Sequence, residues 1–235
     1  MPDERTHAAE TDSLKTKLAS RFGVIAFEGP IGVGKTTLAK RAADILNIRA
    51  VLDGSLPNPL LASFYSDRNR YAFSAQVQFL LNRRSLWSEI GKAKNGGPVL
   101  VDFIPQRDAI FSSILFEGAE RALFESVYNA MYPPVHTVKP DAVVYLTADT
   151  GILMSRIGKR ALDFEGRITR KYLQDISDAF HKYFMTPLGI PVLVVNTNDI
   201  NIVEEEDSVR DIVRQLLDIG KEVQYYIPPT RQGER

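Results

Sequence analysis

Along the chain, short continuous apolar runs alternate with longer stretches in which apolar residues recur every three or four positions. The short runs are 24–27, 50–52, 99–101, 142–146 and 192–195. They are rich in Val and show no in–out alternation, as expected of strands covered on both faces. The longer stretches predict helices over 35–46, 59–65, 71–94, 118–131, 150–157, 169–186 and 204–220. The last carries an apolar stripe through Ile212, Leu216 and Ile219. Asn95-Gly96-Gly97-Pro98 ends the helix before it, and so does Pro133-Pro134. Strands alternating with helices predict an α/β protein with a three-layer phosphate-loop NTPase architecture, a five-stranded parallel sheet between helices.

Residues 1–20 are polar and predict a flexible, frayed or weakly helical extension. Residues 21–222 form the predicted domain, and 223–235 a tail. That tail holds Tyr225-Tyr226-Ile227-Pro228-Pro229, apolar enough to pack back on the body. No internal repeat or low-complexity segment interrupts the pattern. Lys+Arg and Asp+Glu are both 29 in 235 residues, so the formal net charge is zero. That balance argues against a bulk nucleic-acid binder. The chain has no cysteine, hence no disulfide frame and no thiolate nucleophile. His7, His136 and His181 lack metal-ligand spacing. No apolar run nears the roughly 20 residues of a membrane span, and the first residues hold no signal core. A soluble cytoplasmic protein is expected.

The chemistry begins at Gly29-Pro30-Ile31-Gly32-Val33-Gly34-Lys35-Thr36, with Thr37 behind it. This is G-x-x-x-x-G-K-[ST], and it stands between a predicted strand and a predicted helix, the context a phosphate loop requires. Glycines let the backbone aim its N–H groups at phosphate oxygens, and the helix N-terminus adds partial positive charge. Lys35 is placed to reach the outer phosphates, and the Thr36 hydroxyl to ligate Mg²⁺. ATP with Mg²⁺ is therefore the expected cofactor pair.

Other candidates flank it. Asp102 ends the apolar run 99–101, where ligands collect in open α/β sheets, and is the expected second metal handle. Asp53 follows the run 50–52 and is either a general base for an acceptor hydroxyl or an ordinary Asp-Gly turn. Arg156, Lys159, Arg160 and Arg167 predict a mobile lid near 158–167 that brings cations to a transferring phosphate. The 68–84 stretch mixes aromatics with Arg70, Gln76, Arg83 and Arg84.

These motifs resemble the deoxynucleoside kinases, the thymidine kinase-like phosphate-loop group, and most closely its bacterial deoxyadenosine/deoxycytidine branch. The resemblance spans about residues 22 to 220. It is carried by Glu28-Gly29 through Thr37-Leu38, Asn58-Pro59-Leu60-Leu61, Phe64-Tyr65, Arg70-Tyr71-Ala72-Phe73, Arg156-Ile157 with Lys159-Arg160 and Glu165, and Tyr172-Leu173. It implies that Asp53 activates the sugar 5′-hydroxyl, Asp102 holds Mg²⁺, Asp108 contacts the base, Arg156 and Arg160 face phosphates, and Glu165 meets the 3′-hydroxyl. Residues 196–199 would surround the adenine of ATP. Tyr71, Ser74 and Gln76 are implied near the substrate. Ser74 stands where the family usually has a base-reading Gln, and Gln76 lies two positions on. Phe103 follows Asp102 where many members carry Arg, and Leu162 replaces a common lid Arg.

The implied activity is ATP–Mg²⁺-dependent phosphoryl transfer to the 5′-hydroxyl of a deoxynucleoside, by a homodimer with no nucleic-acid or membrane partner. A thymidylate-type monophosphate kinase is the first alternative, with Arg70, Arg83 and Arg84 as candidates for the acceptor phosphate. A nucleotide-binding regulatory protein without turnover is the second.

Overall fold

The computed structural model describes residues 4–93, 97–133, 139–200, 206–220 and 222–228. Its strands are β1 Val24–Glu28, β2 Arg49–Val51, β3 Val99–Val101, β4 Ala142–Thr147, β5 Val192–Asn196 and β6 Val223–Tyr226. They form one parallel sheet in the order β2-β3-β1-β4-β5-β6. The sheet thus has six strands, not the expected five. The sixth, part of the predicted tail, pairs Val192 with Val223 and Val195 with Tyr226. An edge strand needs only one paired side and a half-covered face, so Val223-Gln224-Tyr225-Tyr226 lacks the continuous apolar signature of the inner strands. Residues 229–235 of the tail lie outside the described residues.

The helices are α1 Glu4–Arg21, α2 Lys35–Leu46, α3 Leu61–Ser66, α4 Arg68–Ala93, α5 Arg107–Leu115, α6 Gly118–Met131, α7 Thr150–Arg160, α8 Arg170–Phe184 and α9 Glu206–Asp218. Residues 94–96, 134–138 and 204–205, where the sequence places helix ends and His136, lie outside the described residues. α2 packs on β1, β2 and β3, with α9 beside it. α4, α5, α6 and α8 pack together as a second group, and α8 stacks Phe184 on Tyr145 of β4 with ring centroids 4.5 Å apart.

The first segment departs most from expectation. Where the sequence predicts a flexible, frayed or weakly helical extension, α1 is an 18-residue helix packed on α2 and α9. Leu14 and Leu18, about one turn apart, are buried there. The Arg21 guanidinium donates to the carbonyls of Leu217 and Ile219, supplying partners to groups that the end of α9 leaves open. Two leucines make a stripe too thin for sequence periodicity to reveal, but wide enough to fill a groove between two helices. Among the described residues no helix is long and apolar enough to cross a membrane.

β1 is flanked by β3 on one side and β4 on the other, so the chain's direction of travel across the sheet reverses about it. The crevice beyond its carboxyl end is where such sheets bind ligands. Glu28 ends β1, Asp53 lies just past β2, and Asp102 follows β3 directly.

Candidate active site

α2 starts at Lys35, and its N-cap is Gly34, in the left-handed region at φ 102°. No side chain caps α2 and no acid stands in its first turn, so its first amides are open to an anion. At Gly32, φ is 83°, and an added Cβ would lie 2.8 Å from Ile157 Cγ1 and 3.1 Å from the Leu153 carbonyl. The loop therefore presses on α7. A cavity of about 710 Å³ opens above it, a volume suited to a nucleotide. Residues 32–37 line it, with Arg156, Lys159 and Arg160 of α7 and residues 198–200 after β5. Gly29, Pro30 and Ile31 precede residues 32–37 in the loop and do not line the cavity. Burial pushes the Lys35 ammonium down to about 8, and the Arg107 charge adds to the effect against the pull of Glu28, Asp102 and Asp53.

The acids at the strand ends meet the loop. Buried Asp102 accepts the Thr36 hydroxyl on Oδ2 and the Asp53 backbone N–H on Oδ1, the latter at 2.6 Å. Thr36 and Asp102, the two expected metal ligands, are thus in direct contact. Among the described residues no group of three or more His, Cys, Asp or Glu could hold a metal. Mg²⁺ keeps waters and phosphate oxygens and takes only one or two protein carboxylates, so a hydroxyl and a carboxylate suit it.

Asp53 accepts from Arg83 Nη2 at 3.0 Å, and its buried Oδ1 has no partner. Burial would raise its pKa, but the charges of Arg83, Arg107 and Lys35 hold the carboxyl below the usual range. Arg83 Nη1 bonds Asp108 Oδ1, leaving Asp108 Oδ2 buried without a partner. Burial is the main cause that pushes Asp108 up to about 6, over the opposing pull of Arg83. Arg83 is thus a bridge between two acids, a part that sequence reading did not assign. Its partners stand 25 and 30 residues away, beyond any local pattern.

α4 separates its two base-reading candidates. Gln76 is 3% exposed, and its Oε1 has no partner. Ser74, two positions earlier, is turned by about 200° around the helix. It is exposed and donates to the Tyr71 carbonyl at 3.2 Å. The structure therefore buries Gln76 and leaves Ser74 exposed. Tyr71 is partly buried against the core, with Arg70 over its ring at 5.3 Å.

The basic segment also divides. Arg156 donates to the Thr197 hydroxyl at 2.9 Å, and to the carbonyls of Val33, Thr197 and Ile200. It braces the phosphate loop against the turn after β5, and burial lowers its pKa. Arg160 forks onto buried Glu165, with Nε to Oε2 at 2.9 Å. Glu165 begins a short 3₁₀ turn, Glu165–Arg167, where Phe164 stacks on Tyr65 at 5.7 Å. Lys159 is exposed at the cavity rim, and Leu162 is exposed as well.

A phosphate loop under a nucleotide-sized cavity, with buried carboxylates at the adjoining strand ends, defines an α/β phosphate-loop nucleotide-binding protein. Comparison with known proteins narrows the class. The profile described as "Deoxynucleoside kinase" matches residues 25–219, and the chain belongs to that family. It is 27% identical over 211 residues to the deoxyadenosine/deoxycytidine kinase of Bacillus subtilis (strain 168), covering 88% of this chain and 97% of that one. It is 29% identical over 154 residues to the deoxyguanosine kinase of the same organism, covering 65% and 73%. The deoxyadenosine kinase of Dictyostelium discoideum is 29% identical over 185 residues, covering 74% and 72%. Among solved structures, deoxyadenosine kinase from M. mycoides with bound dATP superposes with a TM-score of 0.68 at 22% identity, covering 82% of this chain and 98% of that one. That likeness bears on the fold. By family, the chain is a nucleoside-phosphorylating enzyme that draws on a nucleotide as phosphate donor.

Proposed function

We propose that the enzyme transfers the γ-phosphoryl group of ATP to the 5′-hydroxyl of a deoxynucleoside whose base carries an amino group. The observation that carries this reading is the Asp102 carboxylate, which accepts both the Thr36 hydroxyl and the Asp53 amide. One side chain thereby fixes the acceptor acid relative to the phosphate loop, the positioning an in-line transfer needs.

The residue roles follow from that frame. The loop amides and Lys35 hold the donor phosphates. Thr36 and Asp102 would hold Mg²⁺, which neutralises charge on the phosphates when bound. Asp53, kept ionised by Arg83, has a free Oδ1 to take the 5′-hydroxyl proton. Arg156 shapes the loop, and Arg160 with Glu165 closes the donor and sugar sides. Asp108 Oδ2 and Gln76 Oε1 are two buried acceptors without donors, and an amino-bearing base edge supplies donors. The relatives' names include both deoxyadenosine/deoxycytidine and deoxyguanosine kinases, all of them amino bases. Arg83 is committed to two carboxylates, while Arg70 and Arg84 are exposed, which disfavours an acceptor-phosphate site. A homodimer through α4 and α6 belongs to the same reading, supported by exposed Leu81 and Leu123 on those helices. So does a cytoplasmic location, where ATP and nucleosides meet.

The test incubates the protein with ATP, Mg²⁺ and a panel of deoxynucleosides and monophosphates, with products read by mass. Monophosphates of deoxyadenosine, deoxycytidine or deoxyguanosine are expected in preference to thymidine monophosphate. A preference for thymidine would refute the amino-base assignment, and diphosphates alone would refute the acceptor.

A further inference from the structure

Arg107 opens α5 and is buried. Its Nη1 donates to both carboxylate oxygens of Glu28, at 2.9 and 2.6 Å. Glu28 Oε2 also accepts the N–H of Gly29 at 2.7 Å, so this carboxylate sets the first residue of the phosphate loop. An added Cβ at Gly29 would come within 2.5 Å of the Leu146 carbonyl, which shows how tightly that point is held. The Arg107 guanidinium lies over Phe111 and Phe180, 5.2 and 5.5 Å from the ring centroids. Its Nε is buried without a partner.

A structural ion pair does not require this placement. A buried pair is weak evidence for stability, because desolvation offsets most of the attraction. A guanidinium with an idle N–H, packed against two rings beside reacting groups, has the form of preorganised electrostatics. Its charge acts on Lys35 of the loop and on Asp53 of the acceptor side alike. The next residue, Asp108, turns by about 100° to the Arg83 bridge of the acceptor pocket. Two consecutive residues of α5 therefore hold the two halves of the site.

We propose that Arg107 is a positioning residue for phosphoryl transfer, which from α5 sets the mouth of the phosphate loop through Glu28 and stands as a third cation beside Lys35 and Arg83. This inference rests on the kinase reading above. It assigns to the first turn of α5 the task of keeping loop and acceptor pocket in register.

The experiment compares the wild-type protein with Arg107→Lys, Glu28→Gln and the double variant, in steady-state kinetics with deoxyadenosine and ATP–Mg²⁺. Lys keeps the charge but lacks the Nε–H and the planar guanidinium that packs against Phe111 and Phe180, and Gln keeps the shape of Glu28. The expected result is a fall in kcat of about tenfold or more in each single variant, with the nucleoside KM within about threefold. The double variant is expected to be no worse than about twofold below the weaker single one, because the pair acts as a unit. A merely structural pair would lower the melting temperature while leaving kcat per folded molecule intact. If Arg107→Lys fails to fold, Glu28→Gln decides alone. Undiminished kcat in the folded variants overturns the inference while the active wild type preserves the kinase reading. A wild type that yields no monophosphate from any nucleoside overturns both.

Discussion

On the proposed assignment, Asp108 should make base recognition depend on pH in a direction set by the base. Its Oδ1 is held by Arg83, so a proton entering the carboxyl goes to the partnerless Oδ2. Ionised, Oδ2 accepts from an amino group; protonated, it presents a donor and meets that group donor to donor. With Asp108 pushed up to about 6, about 97% is ionised near pH 7.5 and about 9% near pH 5. If only the ionised form binds an amino base, the apparent Kd of deoxyadenosine weakens by about tenfold between those values. Deoxyinosine, which offers a carbonyl at the same edge, loses no affinity and gains some. Titration calorimetry of each nucleoside without ATP measures this directly, free of phosphate titration. Near pH 6 about half a proton should leave per deoxyadenosine bound, read from the dependence of heat on buffer. Stability supplies a second readout. The folded pKa lies above the ordinary value, so the Asp108 contribution is full below about pH 4 and is lost as pH rises through about 6. Asp53, shifted the other way, contributes above its ordinary value and loses that contribution only as pH falls through its lowered one. The two windows do not overlap. A deoxyadenosine-to-deoxyinosine affinity ratio that stays constant from about pH 7.5 to 5 refutes the reasoning.

Three further outcomes are expected. Asp53→Asn should lower kcat by about 10² to 10⁴ while ATP binding, followed by calorimetry, stays near wild type, and near-normal turnover would remove the base role. Gln76→Ala should raise the deoxyadenosine KM by about tenfold or more, whereas Ser74→Ala should leave it within about twofold; the reverse order would return base reading to Ser74. Leu18→Ala should cost about 2–5 kcal/mol in denaturant unfolding, and a cost below about 0.5 kcal/mol would mean that α1 adds little to the core.

The parts legible in the sequence were those whose signal is local. The phosphate loop is a contiguous motif between a strand and a helix, and the inner strands are continuous Val-rich runs. Asp53 and Asp102 could be found because strand ends mark the ligand edge. The packing of α1 was illegible because two leucines carry it, and β6 was illegible because an edge strand needs no continuous apolar run. Ser74 and Gln76 were left side by side by motif matching, yet helical geometry separates them. Gln76 shares a face with Ala72 and Arg83, both buried, and Ser74 does not. Arg156 looked like a free lid cation because nothing in the chain announces the Val33, Thr197 and Ile200 carbonyls that engage it. The Glu28–Arg107 pair, 79 residues apart, is the extreme case.

The charges at the heart of the site explain why sequence and stability arguments part company there. Glu28, Asp53, Asp102 and Asp108 face Lys35, Arg83 and Arg107, so the unliganded set carries one more carboxylate than cations. Apolar residues of similar volume would often be as stable as such buried pairs. The raised pKa of Asp108 is the physical sign of that cost: burial, more than the neighbouring Asp53 charge, makes its carboxyl take a proton more readily than an exposed one. Donor groups from a base and a cation at Thr36 and Asp102 would relieve that cost differently, keeping each carboxylate ionised. The arrangement is better satisfied with its ligands than without them, and that difference is available to binding. A chain selected for stability alone would neutralise these positions; one selected to hold two substrates in register retains them.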